Sequence, residues 1–429
     1  MLVALSDRDA ATRAQVGPKA ATLARLRAAG LPVPDGFCLT AGAYRAHLAA
    51  VGREVTVGDR RRALNCRLVC LRDPLDRSIT DAVALVWERL AGAAGALVAV
   101  RSSALLEDSP GASFAGQFET FLGVADARDL VTAVRACWAS LWSTRALRYL
   151  GERGLDPAAT AMAVLIQRLV PARAAGGALS RTPDGSLVLT AAWGLGPAVA
   201  HGEVVPDRYV LRREGPAFRR VTPGRKPRCL GPGDGGRWRS VAPEQMGAPC
   251  LTETEALALA RLVLAVEAAL GEPVEVEWAL DELGFHVLQA RPLDVAEARD
   301  TGPPGPGSAL LVGQPAGVGR AAGPARVVRH EADLARVEVG DVLVTRVAGP
   351  ALASVLPRVA AVVAELGGST SHLAALARER GLPAVLGVAD ATRRLTDGCL
   401  LVVDGVTGAV HESPSIGPAP ASVEAWRLD

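Results

Sequence analysis

Lysine is nearly missing from this sequence: of 47 basic residues only Lys19 and Lys226 are lysine, and the rest are arginine. With its surplus of alanine, glycine and proline, that bias fits a GC-rich coding sequence. A lysine that does appear therefore marks a place where a compact point charge is wanted. Also missing is any run of about 18 uncharged apolar residues, which argues against a membrane-spanning helix. The opening residues, Met1 to Ala10, turn acidic too soon for a secretory leader, so a cytoplasmic chain without membrane contact is expected. Seven cysteines, odd in number and scattered, make no disulfide framework. Cys66 and Cys70 lack a second Cys/His pair that would complete a zinc site. A net charge of +2 speaks against a general nucleic-acid binder.

What is present is globular and long. The 429 residues exceed the usual single-domain size, and 49% hydrophobic with 21% charged residues excludes wholesale disorder. Helix and strand signals mix through the first part. Pro18 to Gly30 reads as an apolar-periodic helix stopped by glycine, and Met162 to Val170 and Ser186 to Trp193 read as strands. Thr252 to Gly271 is a long amphipathic helix with Glu253 and Glu255 in its first turn, where acids are favoured. A strand pair around the turn Asp281–Gly284 follows. Residues 296–310 are Pro/Gly-rich and aperiodic, a linker whose 15 residues span about 45 Å if stiff. Beyond it, 311–412 reads as a compact α/β unit, and 413–429 as a loosely held tail. The expected division is thus 1–295, a linker, 311–412 and the tail.

Four stretches carry chemistry. The first, LGGSTSHLAALARERG from Leu366, sets His372 behind a glycine pair and three hydroxyl residues, at the start of a helix. Helix N-termini offer unpaired N–H groups and positive dipole to a phosphate, and a neutral imidazole is a competent nucleophile. A capping or core histidine is the plainer reading, but a core histidine does not need the glycine pair. The second, Val100 to Val124, places Arg101 at a strand end before Glu107, Asp108 and a Gly/Ser loop. That suits a polyphosphate, with an ordinary surface loop as the alternative. In the third, Glu275 and Glu277 share one strand face, with Gln289 and Arg291 on the neighbouring strand. This is either a Mg²⁺ site completed by phosphates or a salt-bridged sheet face. Fourth, Lys19 stands at a helix start, where a cation is not favoured unless an anion joins it. The stretch Arg212 to Arg239 holds nine basic residues with few aromatics, a solvated loop or nucleotide-side cover rather than a nucleic-acid patch.

In their order, GPKAATLARLRAAGLPVPDGF, VRSSALLEDSPGASFAGQFETFLGV, VEVEWAL with LQARPL, and GGSTSHLAALARERGLPAVLGV resemble the phosphoenolpyruvate synthase / pyruvate phosphate dikinase family, which includes rifampicin phosphotransferases. The resemblance runs from about Val16 to Glu412. It implies an α/β (α+β) fold, an ATP-grasp nucleotide-binding domain linked to a small swivelling β/α phosphohistidine domain. It implies ATP and Mg²⁺ as cofactors, with Lys19 and Arg101 on the ATP phosphates and Arg291 beside the triphosphate. Gln167 and Val170 fall at the adenine edge, Glu275 among the nucleotide-binding residues, Glu277 and Gln289 on magnesium. His372 is the implied phosphoryl carrier, with Arg101 and Lys19 assisting, and Thr370 matches a hydroxyl regulated in some members.

Three departures bear on activity. Pro197 follows Gly196 where the family usually has a glutamate, Ala364 stands where threonine is common, and the segment Ala175 to Gly185 lacks the usual Phe-Thr pair. Neither the pyruvate-binding barrel nor the inserted acceptor domain of such enzymes is recognisable in these residues. The expected acceptor is therefore a small molecule or a separate acceptor subunit, with a homodimer left open. A catalytically decayed nucleotide-binding regulatory or scaffold subunit is the alternative function.

Overall fold

The computed structural model describes residues 1–50, 60–91, 96–107, 114, 116–231, 233, 236–293, 295, 308–347 and 349–412. Most of the Gly/Ser loop at 108–115, most of the linker and the whole tail lie outside the described residues. Three large sheets organise the rest.

The first is five-stranded and antiparallel, in the order Leu2–Ala4, Gly36–Leu39, Met162–Arg168, Val98–Ala104, Thr120–Val124. Its central strand, Met162–Arg168, is buried from Met162 to Gln167, as its unbroken apolar run requires. One face is covered by helices, among them Arg77–Ala91 and Ala127–Ser140, which carry Ile79, Val83, Val86, Leu130, Val134 and Trp138 into the core. The helix Arg13–Ala28 breaks at Gly17 (φ 74°), so Lys19 begins a fresh first turn that faces strand Val98–Ala104.

The second sheet has six antiparallel strands, in the order Gly284–Pro292, Val274–Asp281, Ala174–Leu179, Leu187–Trp193, Asp207–Arg212, Ala217–Thr222. Helix Glu253–Leu270 packs on it, one residue inside the expected bounds at each end. Thr252 and Glu255 form a reciprocal capping box, and Gly271 (φ 81°) ends the helix in the left-handed region. The basic stretch is partly ordered as strands Arg228–Leu230 and Trp238–Ser240, and Leu230 packs with Val170, Ala172 and Leu195.

The third sheet takes strands only from 311–412: Leu311–Val312, Ala409–Glu412, Leu400–Asp404, Arg320–Val328, Val342–Thr345, Ala361–Ala364, Ala384–Leu386 and Gln314–Pro315. Arg320–Val328, Val342–Thr345, Ala361–Ala364 and Ala384–Leu386 run parallel, and helix His372–Glu379 follows Ala361–Ala364. All seven cysteines are free thiols, five of them buried, as the scattered spacing predicts. Among the described residues no helix is long and apolar enough to cross a membrane.

Lys226 departs from the solvated reading of its stretch. Its side chain is fully buried and pairs with the equally buried Asp207 at 2.5 Å. Asp207 also accepts from the amides of Gly224 (2.7 Å) and Cys250 (2.8 Å), so both charges are satisfied within the fold.

Candidate active site

The three sheets meet around a cavity of about 400 Å³ lined by Lys19, Arg101, Gln167, Val170, Glu275, Glu277, Gln289, Arg291 and His372. Every residue that the sequence singled out for catalysis, nucleotide or metal is therefore brought to one place.

One end is apolar. Val170, Ala172, Leu195, Leu230 and Ala279 form a small cluster with Leu122, Leu169 and Leu288 packed against it, a surface suited to a flat base. Gln167 lines this cavity but spends its amide on the carbonyl of Pro34 at 3.2 Å, so it shapes the wall with its N–H already used.

The other end is charged. Arg101 is 12% exposed; its Nη2 donates to Glu277 Oε2 (2.7 Å) and to Gln289 Oε1 (2.6 Å), and its Nη1 to the Leu288 carbonyl (2.5 Å). Glu277 and Gln289 are direct cross-strand partners, as are Glu275 and Arg291. The Glu277 carboxylate is held below the usual range: burial acts against ionisation, and Arg101, His372, Lys19 and Arg291 outweigh it. Lys19 donates to the Ser102 carbonyl (3.3 Å) and pairs with Glu107 at 2.5 Å.

Two hard oxygens, one anionic and one amide, thus converge on a single cationic nitrogen. This donor set fits a magnesium ion that takes its remaining ligands from phosphates and water. No group of three or more His, Cys, Asp or Glu residues suited to a metal exists among the described residues, so such an ion would draw on Glu277 and Gln289 with its ligand set completed by the nucleotide.

Glu275 has a different setting. It is 8% exposed and accepts from Arg291 (2.7 Å) and from Arg378 (3.0 Å), the latter carried on the helix that His372 begins. Arg378 also donates to the Ser369 carbonyl at 2.6 Å. The sequence places Glu275 with the nucleotide-binding residues; in the structure both guanidinium groups engage its Oε2.

His372 enters the cavity from the third sheet's side, on helix His372–Glu379, whose N-cap Ser371 accepts from the Ala374 amide. The glycine pair serves as its motif suggests: Gly367 is left-handed (φ 92°), and a methyl on Gly368 would sit 2.5 Å from Pro206 Cγ. Thr370 meets Thr190 of the second sheet at 2.5 Å. Below it the strand must be bare, since a methyl on Gly177 would lie 2.5 Å from Thr370 Cβ. Gly367 N donates to the Val204 carbonyl (3.1 Å), Gln314 Nε2 to the Pro206 carbonyl (2.7 Å), and the Tyr149 hydroxyl to Glu379 (3.0 Å). These contacts seat the histidine beside the charged end of the cavity.

That seat sets the ring's chemistry. Burial, then His201, lower the His372 pKa to about 4; Glu277 and Glu275 push the other way and Arg291 adds to the lowering. A neutral imidazole is the form that can attack phosphorus.

The sequence reading passed over His201, whose ring centre lies 5.4 Å from that of His372. It caps the short helix Pro197–Ala200, so the departure at Pro197 is what marks this segment. The reading also treated Pro197 as the loss of a carboxylate beside the nucleotide. Glu203 nonetheless lines the cavity and pairs with Arg228, and Glu107 supplies a further carboxylate beside Lys19.

Comparison with known proteins accords with this arrangement. The family model described as pyruvate phosphate dikinase, AMP/ATP-binding domain, matches residues 13–304, and that of the PEP-utilising enzyme, mobile domain, matches residues 337–408. A phosphoenolpyruvate synthase of Aeropyrum pernix is 34% identical across 92% of this chain and 56% of its own length. A probable phosphoenolpyruvate synthase of Archaeoglobus fulgidus is 33% identical across 95% of this chain and 58% of its own. A rifampicin phosphotransferase of a Streptomyces species is 36% identical across 68% of this chain and 36% of its own length. The chain thus spans a little over half the length of the two synthases. These matches show that this chain belongs to the pyruvate phosphate dikinase / phosphoenolpyruvate synthase family, with an α/β AMP/ATP-binding domain over residues 13–304.

Proposed function

We propose that this chain is an ATP-dependent phosphotransferase that phosphorylates its own His372. The overall step consumes ATP, His372 and water, and yields AMP, inorganic phosphate and phosphohistidine. The phosphoryl group then passes to a small-molecule acceptor or to one held by a partner subunit. The observation that carries this reading is that His372 shares one cavity with Lys19, Arg101, Glu277, Gln289 and Arg291.

Within that cavity the apolar end takes the base, and Lys19, Arg101 and Arg291 take the phosphates. Glu277 and Gln289 would hold magnesium, which when bound would neutralise charge on the phosphoryl oxygens. The seating of His372 brings a neutral nitrogen to those phosphates, which converts an encounter into an oriented step. Residues 1–295 then act as the nucleotide domain and 311–412 as a swivelling carrier. Residues 296–310 are the tether between them, because one carrier serves two separated sites only by moving. Magnesium, a cytoplasmic setting where ATP is abundant, and the acceptor itself belong to this proposal.

Nucleotide product analysis tests it. ATP and Mg²⁺ without acceptor give one equivalent of AMP per chain, and His372→Ala gives none while still binding ATP. AMP formation that survives in His372→Ala would remove the histidine from the reaction. Tight ATP binding with no AMP from the wild type would favour the scaffold alternative.

A further inference from the structure

A second cavity, of about 560 Å³, lies beside the first, and Gln117, Arg145, Gly349, Leu352 and Ala353 line both. One wall is helix Thr144–Gly151 with its capping residue, bearing Arg145, Arg148 and Glu152. The opposite wall belongs to the 311–412 unit and bears Arg329, Glu331 and Arg380. Four guanidinium groups and two carboxylates therefore line the seam, and of the four Arg145 already pairs with Glu119 at 3.3 Å.

The pairing within that seam is incomplete. Arg148 and Arg329 are both exposed; the Arg148 side chain has no hydrogen-bond or ion-pair partner among the described residues, and the Arg329 guanidinium reaches only the carbonyl of Thr392, at 2.8 Å. Arg380 lies 3.5 Å from Glu152 through Nη2. Net positive charge divided between two walls opposes their approach. An anion between them would relieve that repulsion.

We propose that this seam cavity binds a small anion bearing phosphate or carboxylate groups, and that the anion holds the His372 unit in its seat. Arginine on both walls suits planar, two-pronged recognition of either group. Since the two walls come from opposite sides of the seam, binding and seating reinforce each other by the same factor. The inference rests on the swivelling carrier proposed above.

The test uses the full chain saturated with a non-hydrolysable ATP analogue, so that the first cavity is filled. Inorganic phosphate and succinate are titrated separately by calorimetry, with small-angle scattering as a second readout. At least one of them binds at a single saturable site per chain and shifts the scattering toward the compact form. The double variant Arg148→Gln, Arg329→Gln weakens that binding at least tenfold and abolishes the shift, with nucleotide affinity unchanged. The probe that binds assigns the chemical class. Absence of saturable binding by either, or equal binding to wild type and double variant, would overturn the site. His372→Asn keeps anion binding, so failure of phosphohistidine formation and failure of this site are read separately.

Discussion

Arg378, on the helix that His372 begins, donates to the buried carboxylate of Glu275 on the nucleotide-side sheet at 3.0 Å. Arg291 reaches the same oxygen from the neighbouring strand at 2.7 Å. Glu275 is thus shared between one arginine on its own sheet and one on the helix that His372 begins. Burial would raise its pKa, but Arg291 and Arg378 together hold the carboxylate ionised.

Arg378→Met removes the partner on the His372 helix and leaves Arg291 in place. Because one cation remains, the loss is set below the 3–5 kcal/mol of a fully orphaned buried charge, at about 1–3 kcal/mol of seating energy. Single-turnover phosphorylation of His372 should fall roughly 10- to 100-fold, with ATP affinity unchanged. An undiminished rate would mean that the pair plays no part in seating.

Gly177 gives a steric test of the same seat. Gly177→Ala sets a methyl against Thr370 and should block phosphorylation, while Thr370→Gly in the same chain should recover much of it. Failure of the double variant to recover would assign the damage to the strand itself.

The pH response depends on where the imidazole is. A free histidine titrates near 6.5, whereas seated His372 is lowered to about 4, chiefly by burial. The seated form binds a proton less readily, so protonation favours the unseated form. Seating is unaffected above pH 6.5 and weakens as pH falls toward 4, by up to about 1.4 kcal/mol per pH unit. Small-angle scattering of nucleotide- and metal-free protein should show opening over that window in the wild type and not in His372→Gln. Identical profiles would contradict the seated environment. A simple loss of nucleophile near 6.5 holds only for the unseated ring.

Lys226 and Asp207 test the fold apart from the chemistry. Lys226→Met strands a buried carboxylate answered by neutral donors, the amides of Gly224 and Cys250 among them, and should cost about 3–5 kcal/mol in urea unfolding. A loss under about 1 kcal/mol would show that those amides suffice.

The contrast between the two lysines shows how far the sequence can be read. Lys19 was legible because a cation at a helix start asks for an anion, and Glu277 with Gln289 because period-two alternation places them on adjoining strands. Lys226 was not, since its partner lies 19 residues away across a strand pair and local charge counting sees only its basic neighbours. His201 escaped for a similar reason: nothing near it in the sequence signals that His372, 171 positions later, will stand beside it. The helix starts, caps and buried strands are local features and could be read. The seating of 311–412 against both other sheets is a sum of long-range contacts, and only the structure displays it.

The most direct measurement is intact mass after incubation with ATP and Mg²⁺ and no acceptor, wild type beside His372→Ala. The account predicts a gain of one acid-labile phosphoryl group in the wild type and none in the variant. An equal gain in both, or an acid-stable one, would contradict it.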